Sequence, residues 1–240
     1  MDPITIHLME KKIILSPSES DWRNRLIYRH ESGRYAFDFD ACLEYLLCKG
    51  RELFGFRFQL FPQDYEMLFS LLAYAVRDPD TCSTYGIDLR KGILLSGPIG
   101  CGKSSFLSLI RFFMPAATRY KVVPCSHVAF EFSEKGYEVI KRYSSRSFHP
   151  GAQSDIPIHY CFDDLGTESE GQHYGMKTEV MAEILAARYD LFLSHHMITH
   201  LTTNLSSGEI ESRYGIRIRS RMREMFNLIA FDRGAGDKRG

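Results

Sequence analysis

A glycine-rich octapeptide is the most specific chemical pattern in this 240-residue sequence. It consists of Gly97, Pro98, Ile99, Gly100, Cys101, Gly102, Lys103 and Ser104. The pattern matches G-x-x-x-x-G-K-[ST], and it lies between a short apolar run and a predicted helix, which is the context of a phosphate-binding loop. Glycines in such a loop leave backbone N–H groups free to cradle phosphate oxygens, and the N-terminus of the next helix adds partial positive charge.

This octapeptide predicts a site for ATP and Mg²⁺. Lys103 is expected to reach the β- and γ-phosphates, and the hydroxyl of Ser104 is expected to bind Mg²⁺. The remaining loop residues and Ser105 are expected to complete the contacts to the nucleotide. Cys101 occupies a variable position of the pattern, so no redox role follows from it.

Two adjacent acids, Asp163 and Asp164, end a second apolar run downstream of the loop. An apolar strand that ends in two acids resembles a Walker B motif, in which Asp163 would orient Mg²⁺, directly or through water. Asp164 stands where related NTPases carry the carboxylate that activates water, although many of them have Glu there. Because Asp is one methylene shorter, Glu168 or Glu170 is an alternative base. A helix cap or a turn is an alternative role for either aspartate.

A polar residue, Asn204, follows a third apolar run and two threonines. A side chain at this point can hold the attacking water or sense the γ-phosphate, and we assign that role to Asn204. Because Asn also favours helix N-caps, a capping role is the alternative.

The C-terminal segment, residues 211–240, carries eight Lys and Arg against four Asp and Glu. Arg217 and Arg221 lie four residues apart beside an apolar stripe and therefore share one helix face. One of them, with Arg221 preferred, is expected to act as an arginine finger on the γ-phosphate of a neighbouring subunit. A solvated or nucleic-acid-facing basic surface is the alternative. Lys238 and Arg239 either fold back onto phosphate or form a frayed tail.

The elements that must hold these residues alternate between strands and helices. Apolar runs predict strands over residues 4–8, 93–96, 120–123, 159–162, 197–202 and 228–231. Helices are predicted over residues 40–53, 62–77, 103–114, 127–143, 177–193, 207–214 and 216–226, with a loop over 166–175. This alternation predicts an α/β fold with a mainly parallel sheet between helices. A mainly helical region is expected over residues 1–84 and a P-loop core over residues 85–240.

Composition excludes several classes of protein. The 30 Lys and Arg balance the 30 Asp and Glu, and 44% of the residues are hydrophobic. These values are ordinary for a globular protein and exclude a disordered chain and a strongly basic nucleic-acid binder. The six cysteines form no C-x-x-C pair and mostly lie in apolar stretches, which favours free thiols and a cytoplasmic location. Neither a signal peptide nor a membrane-spanning helix is expected.

Together these motifs resemble those of AAA+ P-loop ATPases of the DnaC/IstB type, which are replicative helicase loaders and their transposon relatives. The resemblance covers about residues 85–239, and its family-specific parts are Asp163-Asp164-Leu165-Gly166 and Arg217-x-x-x-Arg221-Met222. It implies that the strand carrying the sensor residue lies between the strands of the two phosphate-site motifs. It also implies that the arginine matching Arg221 acts in trans, that Arg239 contacts nucleotide, and that the C-terminal helical lid is reduced or missing.

The function implied by this resemblance is Mg²⁺-dependent ATP hydrolysis that loads or remodels a DNA-bound partner, as in a DnaC-like helicase loader. An IstB-like ATPase that assists a transposase is the alternative within the same fold. A non-hydrolysing nucleotide-dependent scaffold and a small-molecule or nucleotide kinase are alternatives of other classes. The expected assembly is a homo-oligomer that binds single-stranded DNA. The N-terminal region of loaders binds the helicase, but residues 1–84 carry no motif that identifies a partner.

Overall fold

The computed structural model describes residues 26–29, 35–150, 156–232 and 235–238. The predicted strand over residues 4–8 and the predicted nucleotide contact of Arg239 lie outside the described residues. Among the helices of these ranges, none combines the length and the apolar composition that crossing a membrane requires. All six cysteines carry free thiols, and five of them are buried.

Nine strands lie in the described residues. They are β1 (Ile27–Arg29), β2 (Tyr35–Phe37), β3 (Gly92–Ser96), β4 (Lys121–Pro124), β5 (Tyr160–Leu165), β6 (Gly171–His173), β7 (Met176–Thr178), β8 (Thr199–Thr203) and β9 (Phe226–Ala230). Five of them form a parallel sheet in the order β4-β5-β8-β3-β9. The predicted α/β fold with a mainly parallel sheet is therefore confirmed. The strand that ends next to Asn204 lies between the strands of the two phosphate-site motifs, as the resemblance implies.

Nine helices accompany the strands in the described residues. They are α1 (Phe39–Phe54), α2 (Tyr65–Val76), α3 (Pro79–Thr84), α4 (Lys103–Ile110), α5 (Cys125–Lys135), α6 (Tyr137–Tyr143), α7 (Val180–His195), α8 (Ser207–Tyr214) and α9 (Ile216–Met225). Single 3₁₀ turns precede α2 and follow α4. Among the described residues no helix follows β9.

Helices cover both faces of the sheet because successive side chains of a strand point to opposite faces. Ile93 and Leu95 of β3 belong to the apolar cluster that α1, α2 and α4 build on one face. Leu94, between them, belongs to the cluster that α5 to α9 build on the other face. The phosphate-loop strand is thus buried on both sides, as expected for a central parallel strand.

The N-terminal helices share their core with the phosphate-loop helix. Leu46 of α1, Leu71 of α2 and Leu109 of α4 are fully buried in one cluster. Asp38 caps α1, since its side chain accepts a hydrogen bond from the N–H of Ala41. The division of the chain near residue 84 remains a prediction.

Two predicted elements were wrong. The helix predicted over residues 127–143 is two helices, α5 and α6, because Gly136 has φ +61° and ends the first one. A Cβ at Gly136 would come within 2.6 Å of the His173 ring. The loop predicted over residues 166–175 contains β6, which forms an antiparallel hairpin with β7. Three-residue strands are too short for a recognisable alternation of apolar residues.

Candidate nucleotide-binding site

The predicted phosphate loop connects β3 to α4 and turns at its glycines. Gly100 has φ +80° and Gly102 has φ +104°, values that residues other than glycine rarely adopt. A Cβ at Gly97 would lie 2.7 Å from the Cβ of Phe231, and one at Gly100 would lie 2.1 Å from an Asp237 oxygen. The close approach to Phe231 explains glycine at position 97, and positive φ explains glycine at positions 100 and 102.

Lys103 is held inside the loop it belongs to. Its side chain is buried, and Nζ donates to the carbonyl oxygens of Gly97 at 2.9 Å and Pro98 at 2.8 Å. The sulfur of Cys101 lies 4.0 Å away, and burial raises the pKa of this thiol. The ammonium is therefore beside the loop backbone, where a phosphate oxygen would compete with two carbonyls for its protons.

A bulge in β5 carries the two predicted acids. The pairing of β5 with β8 shifts register between Phe162 and Leu165, and Asp164 between them has φ +56°. The buried Thr202 of β8 lies opposite this bulge. Its hydroxyl accepts a hydrogen bond from the Asp164 N–H at 2.8 Å and donates one to Asp163 Oδ1 at 2.6 Å. The strand thus extends to Leu165, three residues beyond the predicted end, and contains both acids.

A cleft of about 330 Å³ lies over the loop. The predicted site residues that line it are Ile99, Gly100, Gly102, Lys103, Ser104, Ser105, Asp164 and Asn204. The carboxyl ends of β3, β5 and β8 therefore bring three separate motifs to one space. The predicted residues that do not line it are Gly97, Pro98, Cys101, Asp163, Arg217 and Arg221.

The oxygen donors at this edge fit a hard divalent cation. Mg²⁺ prefers one or two protein oxygens together with phosphate and water oxygens. Ser104 offers a hydroxyl in the cleft, and Asp163 offers a half-buried carboxylate at the bulge beside it. This donor set suits Mg²⁺ and no soft metal.

Glu168, the alternative base, is held in the protein interior. Its side chain is buried, Oε2 accepts the Gly166 N–H at 2.8 Å, and Oε1 accepts the Tyr214 hydroxyl. Burial and this bond to Glu168 raise the pKa of Tyr214. Arg213 adds hydrogen bonds to the carbonyls of Gly166 and Glu168. This arrangement joins the loop after β5 to the end of α8.

The other alternative, Glu170, is a surface residue. Its carboxylate lies 3.4 Å from Lys177 Nζ, and both side chains are exposed. Neither Glu168 nor Glu170 lines the cleft, whereas Asp164 does. The geometry therefore favours Asp164 over both glutamates as the residue that faces a bound phosphate.

The two candidate finger arginines lie on α9. Arg217 is exposed, whereas Arg221 is half-buried against α7. The Arg221 guanidinium lies 4.8 Å from the Tyr189 ring centre, 4.0 Å from Asp190 and 3.4 Å from the Ala186 carbonyl oxygen. Both therefore lie outside their own chain's cleft.

The C-terminal segment folds onto the phosphate loop at Lys238. The Lys238 N–H donates to the Gly100 carbonyl at 3.0 Å, and its side chain lines the cleft. Its ammonium pairs with the buried Asp64, just before α2, and lies 4.8 Å from the Phe231 ring centre. The segment therefore folds back onto the loop at Lys238, and the expected contact with phosphate stays a prediction.

Sequence reasoning missed part of the cleft wall. Phe58 and Gln59, about forty residues before the loop, line the cleft together with Thr167. Thr167 donates its hydroxyl to the Asp164 carbonyl at 2.8 Å. No local spacing relates residues 58 and 59 to the loop, so only the packing of the N-terminal helices brings them there.

Solved structures show which fold this is. The crystal structure of the DnaC helicase loader matches with a TM-score of 0.51 and 16% identity, over 73% of this chain and 93% of that chain. The crystal structure of DnaI matches with a TM-score of 0.52 and 17% identity, over 76% of this chain and 88% of that chain. The chain has the fold of DnaC and DnaI. The resemblance to DnaC-type P-loop proteins is therefore confirmed at the level of the fold. No protein-family model and no curated protein matches the sequence.

Proposed function

We propose that the protein is a Mg²⁺-dependent ATPase that loads or remodels a DNA-bound partner, in the manner of a DnaC-like helicase loader. One observation carries this proposal. The phosphate loop, Asp164 and Asn204 come from three strands and line one cleft of about 330 Å³. Phosphoryl transfer needs mainly positioning and charge stabilisation, and this convergence supplies both.

ATP binding falls to the loop and the start of α4. Backbone N–H groups of the glycine-rich turn and the helix N-terminus receive the phosphates. Lys103 exchanges its two carbonyl partners for the β- and γ-phosphates. Ser104 and Asp163 would hold Mg²⁺, which when bound would supply positive charge against the phosphate oxygens. Phe58 and Gln59 supply the wall on the N-terminal side.

Hydrolysis depends on two residues at the edge of the sheet. Asp164 accepts a proton from the attacking water, and the amide of Asn204 orients that water for in-line attack on the γ-phosphate. The bond from the γ-phosphorus to the bridging oxygen breaks as the water oxygen bonds to phosphorus. Lys103 stabilises the charge that develops on the leaving oxygens.

A neighbouring subunit completes the site. Arg221 and Arg217 lie outside their own chain's cleft, so a finger role requires the phosphate of another copy. Arg221 is preferred because Tyr189 supports its guanidinium against α7. Bound ATP would thus link subunits of a homo-oligomer, and hydrolysis would release them.

Partners are proposed from two surfaces. Leu53, Phe54 and Phe56, at the end of α1, are exposed, with Phe56 at 81%. An exposed apolar cluster supports docking of a protein partner, and DnaC, whose structure has the same fold, is described as a helicase loader. Arg217 and Arg223 on α9 supply exposed positive charge for single-stranded DNA. A replicative helicase is the preferred partner and a transposase the alternative. The cytoplasm is the proposed location.

ATP turnover measured against protein concentration, with and without single-stranded DNA, tests the proposal. The Lys103→Ala variant serves as the blank. The expected result is a rate per subunit that rises with protein concentration or with DNA, because the finger acts in trans. A rate above the blank that depends on neither would contradict the loader function. ATP binding without turnover would instead favour the nucleotide-dependent scaffold.

A further inference from the structure

The hydroxyl of Thr202 is hydrogen-bonded to both predicted acids, Asp163 and Asp164. Its side chain is fully buried in β8. An amide N–H can only donate, so the hydroxyl must accept from Asp164 at 2.8 Å. Its single proton is then directed to Asp163 Oδ1 at 2.6 Å. The hydroxyl therefore has one defined orientation, and both acids depend on it.

The bulge in β5 explains why the Asp164 N–H bonds to the side chain of Thr202. Phe162 pairs with Leu201 and Leu165 pairs with Thr203, so Thr202 faces both Asp163 and Asp164. Two residues opposite one is the geometry of a β-bulge, which leaves ladder groups unpaired and re-aims side chains. Asp164 moreover has φ +56°, which an L-residue holds only when its surroundings impose it. The Thr202 hydroxyl provides the missing partner for the Asp164 N–H.

We propose that Thr202 is a positioning residue that couples Mg²⁺ binding to the geometry of the general base, Asp164. One hydroxyl fixes the rotation of the Asp163 carboxylate and the backbone of Asp164. Hydrogen bonds of this kind to a metal-binding carboxylate orient it and typically change metal affinity 10- to 100-fold. This inference rests on the proposed function, since it assigns Asp163 to Mg²⁺ and Asp164 to the attacking water.

The chain contains a matched control one residue away. Thr203 is equally buried, and its hydroxyl also donates once, to the Leu165 carbonyl at 2.7 Å, and accepts once, from the Leu205 N–H at 3.1 Å. Both hydroxyls therefore form hydrogen bonds from β8 to β5. Only the Thr202 hydroxyl touches the two acids, so a comparison of the two separates positioning from general stabilisation.

The experiment compares Thr202→Val, Thr202→Ser and Thr203→Val in the full-length protein. Binding of a fluorescent ATP analogue is measured with EDTA and across a Mg²⁺ titration, and thermal unfolding is recorded for each variant. We expect Thr202→Val to raise the Mg²⁺ concentration at half-saturation about 10-fold or more. Its affinity for the analogue in EDTA should stay within about threefold of the wild type, since the hydroxyl that is lost does not line the cleft. Thr202→Ser should restore the Mg²⁺ dependence because it keeps the hydroxyl.

The outcomes separate failure of this inference from failure of the proposed function. Equal Mg²⁺ dependence of Thr202→Val and Thr203→Val at similar stability would overturn the positioning role. Failure of Thr202→Ser to recover the wild-type Mg²⁺ dependence would also overturn it. If the wild type itself binds the analogue without any effect of Mg²⁺, the proposed function fails, and this inference with it.

Discussion

Asp164 and Glu168 show how two nearby carboxylates can have different roles. Asp164 lines the cleft, whereas Glu168 is buried and holds the Gly166 N–H and the Tyr214 hydroxyl. A general base must reach the proton that it abstracts, and a carboxylate whose oxygens are hydrogen-bonded inside the protein does not. We therefore assign hydrolysis to Asp164 and the attachment of the loop after β5 to Glu168.

The substitutions Asp164→Asn and Glu168→Gln should separate these roles. Asp164→Asn removes the base, so ATP turnover should fall at least about 100-fold while nucleotide affinity stays within about threefold. Glu168→Gln leaves one side-chain oxygen to accept from two donors, the Gly166 N–H and the Tyr214 hydroxyl, so the free energy of unfolding should fall by about 1–3 kcal/mol. Turnover assays and urea unfolding check both changes. Unchanged turnover in Asp164→Asn, with loss in a folded Glu168→Gln protein, would reverse the assignment.

At the scale of elements, the cleft is closed by segments far apart in the sequence. Lys238 near the C-terminus pairs with Asp64, which precedes α2, and both side chains are largely buried. The same lysine donates its N–H to Gly100 in the phosphate loop. Lys238 therefore connects the C-terminal segment to the N-terminal helices through its ion pair and to the phosphate loop through its N–H.

Removing only the lysine of this pair should lower the free energy of unfolding more than replacing both charged residues. Lys238→Met leaves the Asp64 carboxylate buried without its cation, so the free energy of unfolding should fall by about 3 kcal/mol. The double variant Asp64→Asn/Lys238→Met should recover at least half of that loss, since no buried charge remains. Urea unfolding of the two variants gives the comparison. A double variant no more stable than Lys238→Met would show that the pair contributes through packing alone.

Elements with strong local patterns were predictable from the sequence. The phosphate loop follows from eight consecutive residues, and β3 follows from a short apolar run before it. The parallel order then places the ends of β5 and β8 beside the loop. The bulge at Asp164 was not predictable, because it arises from pairing with a strand almost forty residues later. Phe58 and Gln59 were missed for the same reason, since long-range packing alone brings them to the cleft.

At the scale of the whole molecule, the fold brings its predicted phosphate-site motifs to a polar cleft and buries five of its six cysteines. The net charge is zero, so binding to nucleic acid has to come from local surfaces such as the exposed arginines of α9. Because both finger candidates lie outside their own chain's cleft, the proposed hydrolysis depends on assembly. Every proposed step, from hydrolysis to assembly, therefore requires ATP in the cleft.

Calorimetric titration of the wild type and of Lys103→Ala with ATP and Mg²⁺ tests this claim most directly. We predict one ATP per chain for the wild type and an affinity at least about tenfold weaker for Lys103→Ala, because a charge-assisted contact to phosphate is lost. Circular dichroism confirms that the variant is folded. Absence of binding to the wild type, or equal affinity in both proteins, would contradict the assignment of the cleft to ATP.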